Sequence, residues 1–196
     1  MPILGSFGAG SGKGFGLTSA ECTDFICATG GDAIIECGSY KIHVFTGSGN
    51  FVVCRAEVPA NNNVDYLIVA GGGGAGNHKA GGGGAGGLQK VDTTATTGIN
   101  YSIVIGAGAA NNSGTSTGAR GDSGSDSTAF GSTSVGGGAG GGSNVNTTGA
   151  NGGSGGGGGN ANNSAGGTAT SGQGNAGGTS STDSPWRGGG GGGAGA

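Results

Sequence analysis

The chain is poor in charge, in aromatic side chains and in proline, and no part of it carries a helical repeat. Of its 196 residues, 9% are charged, 5% are aromatic and 3 are proline. Apolar residues never recur at i, i+3, i+4 and i+7 for more than a turn or two, which excludes an α-helical fold. With 7 Lys and Arg spread along the whole length, no basic stripe exists on which nucleic-acid binding could rest. No segment approaches 18 apolar residues, so no membrane-spanning helix is expected. The start, Met1 to Gly8, lacks a charged n-region and an apolar core, so no signal peptide is evident. A protein of this kind is made in the cytoplasm and, if it ends outside, leaves by another route.

What the chain has is glycine, 57 of 196 residues. Collagen is excluded, because glycine does not fall at every third position and proline is scarce. Of the glycines, 11 lie in residues 1–70 and 46 in residues 71–196. The net charge of −3 also comes from the first part, since residues 71–196 hold four cations and four anions. The two parts therefore call for separate readings.

Residues 32–70 read as short strands. Asp32–Cys37 is one, and Tyr40–Phe45 is a second, with Tyr40, Ile42 and Val44 on one face and Lys41 and His43 on the other. Thr46-Gly-Ser-Gly-Asn50 has the chemistry of a hairpin turn, with Phe51–Ala56 as the returning strand. Val64–Ala70 follows, apolar enough to be covered on both faces, and Ile99–Ile105 is one more strand. Residues 1–20 form a glycine-spaced arm with Phe7, Phe15 and Leu17 as anchors for contact with a neighbouring subunit.

From residue 71 the same six residues, Gly-Gly-Gly-Gly-Ala-Gly, occur at 71–76, 81–86 and 190–195, with close variants at 136–141 and 155–159. A flexible linker is one way to use such composition. Recurrence of the runs, edged by Leu88, Phe130, Val135 and Trp186, favours order instead. Polyproline-II-type helices without Cβ atoms can pack closely and bond N–H to C=O between neighbours, which satisfies the backbone. The expected fold is therefore mostly β: a small antiparallel sheet or sandwich, then polyglycine-II-type helices with long loops, and little or no α-helix. The expected division is a docking arm at 1–31, a β module with the first glycine runs at 32–106, and a glycine-helix bundle at 107–196.

Motifs that suggest chemistry fail on their context. Gly71-x-Gly73-x-x-Gly76 after a strand has dinucleotide-binding spacing, but Asn77-His78-Lys79-Ala80 leads into more glycine, where no helix can meet a pyrophosphate. Gly12-Lys13 lacks both ends of a phosphate loop. His43 and His78 have no nucleophile partner at readable spacing, and Arg120-Gly-Asp122 is cheap by chance in a Gly, Ser and Asp-rich segment. Neither a catalytic site, a cofactor nor a metal is expected. Trp186 beside Arg187 is either a plug between glycine helices or a stacking surface for a sugar ring, and so a candidate host-surface contact. Cys22, Cys27, Cys37 and Cys54 fit buried thiols, or one to two disulfides. Their spacing lacks the paired knuckle of a zinc site.

Several segments in succession carry a resemblance. Gly12–Leu17, Tyr40–Phe51, Val64–Gly74, Gly81–Leu88, Tyr101–Gly108, Ser127–Gly131 with the run to Gly142, and Gly188–Ala196 follow the order found in glycine-rich tail-fibre and appendage proteins of marine tailed bacteriophages. The resemblance implies a non-enzymatic virion protein, assembled in the host cytoplasm. It would be a trimer or higher multimer, in contact with other virion proteins and with a host-surface glycan or protein. The cysteines are not a feature of that family. Other classes compatible with the sequence are a self-assembling extracellular filament or surface-layer subunit, a capsid decoration protein, and an ice-binding protein with a flat glycine-helix face.

Overall fold

A computed structural model describes residues 26–56, 62–110, 118–160, 163–182 and 187–195. Among them nine strands form four small antiparallel sheets, and no helix occurs. The strands are β1 (Cys27–Thr29), β2 (Ala33–Cys37), β3 (Tyr40–Val44), β4 (Gly49–Arg55), β5 (Asn63–Val69), β6 (Leu88–Thr94), β7 (Asn100–Ile103), β8 (Ser127–Ala129) and β9 (Ser132–Ser134). The mostly-β expectation holds.

The strands pair differently from the expected hairpin. β3 pairs with β2, while β4 lies between β1 and β7, so the Thr46–Asn50 segment joins two sheets. The carboxylate of Asp32 accepts from Thr46 N at 2.6 Å, Thr46 Oγ1 at 2.7 Å and Gly47 N at 3.2 Å. These bonds fold the turn back onto the β2–β3 hairpin. The edge of β4 that a hairpin needs is then taken by Asn100–Ile103, with Phe51 opposite Tyr101.

One hydrophobic cluster links three of the sheets. Phe51 and Val53 of β4, Ala28, Ile68, Ala95, Ile103 and Ala129 are buried, and Val53 has no exposed surface. Alternation explains β5: Val64, Tyr66 and Ile68 turn toward this cluster. The other face of β5 is not covered, contrary to expectation, because Leu67 and Val69 are 62% and 51% exposed. A two-sided cover needs elements packed on both faces of the strand, and here only the face toward the cluster is packed.

Phe130 closes the cluster at a tight turn. β8 and β9 are joined by Phe130 at φ 50 and Gly131 at φ 83, the pair of positive angles that a two-residue type I′ turn requires. Positive φ is costly for a bulky residue. Here the ring sits 4.6 Å from Tyr101, 5.0 Å from Tyr66 and 5.6 Å from Phe51, and this aromatic packing holds it.

Glycine runs leave the sheets and pack side by side, as neither strand nor helix. Their hydrogen bonds recur every third residue. Gly71, Gly74 and Asn77 donate to Ser125, Asp122 and Ala119, while Gly73 and Gly76 donate to Gly84 and Gly81. The run 81–87 turns its N–H groups at 81, 84 and 87 to Gly141, Gly138 and Val135, and those at 82 and 85 to Gly189 and Gly192. Ser, Thr and Asn-rich segments also enter the bundle, at 119–126, 149–153, 163–168 and 175–180.

Run 154–159 lies at the centre and meets six other runs. Its N–H groups go to 81–87, 175–180 and the 147–150 segment, and its C=O groups accept from 136–142, 187–195 and 163–168. Every residue from Gly152 to Gly159 is buried. At most of these positions a Cβ would overlap a neighbouring backbone oxygen, as at Gly156 against Ala139 and at Gly157 against Gly189. Glycine here is a steric requirement of close rod packing.

Candidate functional site

The residues singled out by sequence fall in three groups. Phe7, Phe15, Leu17, Cys22 and Trp186 lie outside the described residues. Arg187 is exposed at the start of the last run, where its carbonyl accepts from Ser181 N at 3.0 Å. The cysteines are dispersed: Cys27 is half-buried on β1, while Cys37 and Cys54 are exposed thiols on β2 and β4. Cys37 stands opposite Tyr40, and no disulfide joins the three.

The motifs set aside on their context occupy structural positions. Gly73 and Gly76 direct their N–H groups to run 81–87, so these amides cannot form a phosphate cradle. Gly121 of the Arg-Gly-Asp triplet donates to Gly140, and the Asp122 carbonyl accepts from Gly74, which builds the triplet into a rod rather than a projecting loop. The Nδ1 of His43 lies 2.7 Å from the Gly30 carbonyl, and its ring meets Phe51 edge-on at 5.1 Å. Among the described residues no cluster of three His, Cys, Asp or Glu side chains is placed to hold a metal ion.

The polar side chains that tie the elements together carry no signal in the sequence. Gln173 accepts from Val135 N at 2.8 Å through its Oε1 and donates to the Thr133 carbonyl at 3.0 Å through its Nε2. Its backbone carbonyl accepts from Leu88 N, so one buried residue ties β6 and β9 to the bundle. Ser127, fully buried, donates to the Val69 carbonyl and accepts from Gly106 N, both at 2.8 Å. Asp126 Oδ1 and Ser123 Oγ accept from Gly136 and Ala139, which completes the third donor row of the central run 136–142. The Thr46 hydroxyl, then the Thr46 and Gly47 amides, hold the Asp32 carboxyl below the ordinary carboxylate range.

The chemically distinctive surface is therefore the outside of the glycine bundle. There, backbone N–H and C=O groups stand at three-residue intervals. Around the central runs these groups are consumed, as they are on all sides of 154–159. Run 187–195 differs, since Gly189 and Gly192 are buried while Gly188, Gly190, Gly191 and Gly193 are exposed. A family model described as a glycine-rich domain matches residues 45–196. No curated protein matches the chain, and no solved structure matches it.

Proposed function

The chain belongs to the glycine-rich domain family, and we propose that it is a non-enzymatic virion structural protein, a tail fibre or fibre-like appendage that contacts the host surface. Its glycine runs are polyglycine-II-type helices in this reading. The observation that carries it is the hydrogen-bond recurrence at every third residue, with one run surrounded by six others. A three-residue repeat is the period of an extended helix of this type, which has no internal hydrogen bonds and must find all its partners laterally. Such a body is stiff because any bend shears several lateral bonds at once. Arg187, exposed at the start of the last run, and Trp186 beside it in sequence are the candidate contact residues in this reading. The virion setting rests on the resemblance of Gly12–Leu17 and the later segments, in order, to phage appendage proteins.

The test is to locate the protein. An antibody raised against the purified chain should label an appendage of tailed particles in negative-stain images, and the chain should be found by mass spectrometry in those particles. Labelling of free filaments or a cell-surface layer would refute the virion reading and favour the filament class. Labelling of the head shell would make it a decoration protein. X-ray fibre diffraction from the purified chain should carry the rise of about 3.1 Å per residue, a three-residue repeat of about 9 Å, expected for this helix.

A further inference from the structure

We propose that run 187–195 is an open docking edge, and that a glycine run from a second copy of this chain adds to it head to tail. The argument starts from the completed case. Around run 154–159, three neighbours receive its N–H groups and three donate to its C=O groups. Run 187–195 has half of that set. It donates from Gly189 and Gly192 to Gly158 and Gly155, and its carbonyls accept from Gly82 and Ala85 on one side and from Asn175 and Gly178 on the other. Bonds to described residues are missing for the N–H groups of Gly188, Gly190, Gly191 and Gly193 and for the C=O groups of Gly188 and Gly191. What is left over is two rows of donors and one row of acceptors, each repeating at about 9 Å along the run, three residues at about 3.1 Å.

The shape of the edge restricts what can fill it. Nothing lies within 4 Å of a Cβ built at Gly190 or Gly193. The edge is continued by the exposed Ala176 and Thr179 of the adjacent run. At filled lattice positions a Cβ would overlap backbone oxygen, as at Gly189 against Gly178 and at Gly192 against Asn175. An occupant must therefore be an extended run without side chains toward the contact and with the same three-residue repeat. This chain carries such runs in number, including two more copies of the very sequence at 190–195.

The bond directions set the symmetry. Where run 71–76 meets 81–87, where 81–87 meets 136–142, and where 175–180 meets 187–195, every donor lies on one run and every acceptor on the other. A twofold axis would set a donor row against itself, which leaves both rows unbonded. The open edge must instead meet a different row of the second copy. A contact of that kind closes into a ring or runs on as a fibre. It depends on the hydrogen-bond pattern alone and is independent of whether the protein belongs to a particle.

The experiment uses the full chain in a sedimentation series over concentration, with negative-stain imaging of the product. The double variant Gly190→Val with Gly193→Val places side chains on the open edge. Gly47→Val, equally open but on the β3–β4 connection, is the control. Wild type and control should associate into rings or fibres. The double variant should raise the half-assembly concentration by about tenfold or more, through the lost lateral bonds, with an unchanged melting temperature. Should the double variant melt lower, amide exchange of the wild type decides: Gly188, Gly190, Gly191 and Gly193 must gain protection on assembly. A wild type that stays monomeric, an assembly that ends at a dimer, equal association by the double variant, or no gain of protection at those amides would each overturn the proposal.

Discussion

The same substitution, glycine to alanine, should have opposite effects at two positions of the bundle that look alike in sequence. At Gly157 a Cβ would overlap the carbonyl oxygen of Gly189, so run 187–195 must move by about 1 Å or more to reach ordinary contact distance. That shift strains three bonds, Gly189 N to Gly158 O at 2.7 Å, Gly192 N to Gly155 O at 2.8 Å and Gly82 N to Gly189 O at 3.0 Å. At about 0.5–1.5 kcal/mol each, Gly157→Ala costs about 1.5–4.5 kcal/mol. At Gly72 the nearest atom to a Cβ is the Gly84 oxygen at 3.8 Å, an ordinary contact, and the backbone angle is one that alanine adopts. Gly72→Ala then stabilises by about 0.4–1 kcal/mol, because alanine restricts the unfolded chain. For a chain of this size about 1 kcal/mol corresponds to about 2–4 °C. Calorimetry should thus show a melting temperature about 5–15 °C lower for Gly157→Ala, and equal to or slightly above wild type for Gly72→Ala. If the two variants shift alike, the close packing of the rods is not what selects glycine, and the reasoning fails.

Three further outcomes are expected. Phe130→Ala removes the ring shared by Phe51, Tyr66 and Tyr101 and should cost about 2–4 kcal/mol in chemical denaturation, only partly offset by relief of its positive φ. Gln173→Ala leaves the Val135 N–H and the Thr133 carbonyl without this side chain, a loss of about 1–3 kcal/mol. Exchange of the Val135 amide should accelerate in that variant while exchange in β2–β3 stays as it was. For Asp32, whose carboxyl is held low by the Thr46 and Gly47 donors, a carbon-13 titration should give a midpoint below that of an unstructured aspartate. Thr46→Ala should raise that midpoint. The sign follows from the depression: the charged form contributes to folding above the unfolded value, and the contribution fades as pH falls through the folded one.

Side-chain pattern made the strands legible and left their partners obscure. Ala33–Cys37, Tyr40–Val44 and Asn63–Val69 lie within a residue of where alternation and composition placed them. Leu88–Thr94 was not expected, since Gln89, Lys90 and Asp92 hide its apolar positions. The Thr46–Asn50 segment shows why pairing was harder. Turn residues report local backbone freedom, whereas the partner of Gly49–Val52 is a strand some 50 residues later in the chain. In the bundle, repetition of glycine runs pointed to ordered rods. Which amide meets which carbonyl has no side-chain signature, and neither do the bonds that Gln173, Ser127 and Asp126 make to the backbone. Residues 1–25 of the expected docking arm and Trp186 lie outside the described residues.

Burial of run 154–159 among backbone has a thermodynamic consequence of its own. In most proteins unfolding brings methyl and aromatic groups into water and raises the heat capacity, by about 0.45 cal/mol/K per Å² of apolar surface, against about −0.26 for polar surface. Here much of what unfolding exposes is amide. The two contributions come closer to cancelling, so the stability curve flattens. Stability then varies little over a wide range of temperature, weakens less in the cold, and depends on an enthalpy of lateral bonds that persists where hydrophobic attraction fades.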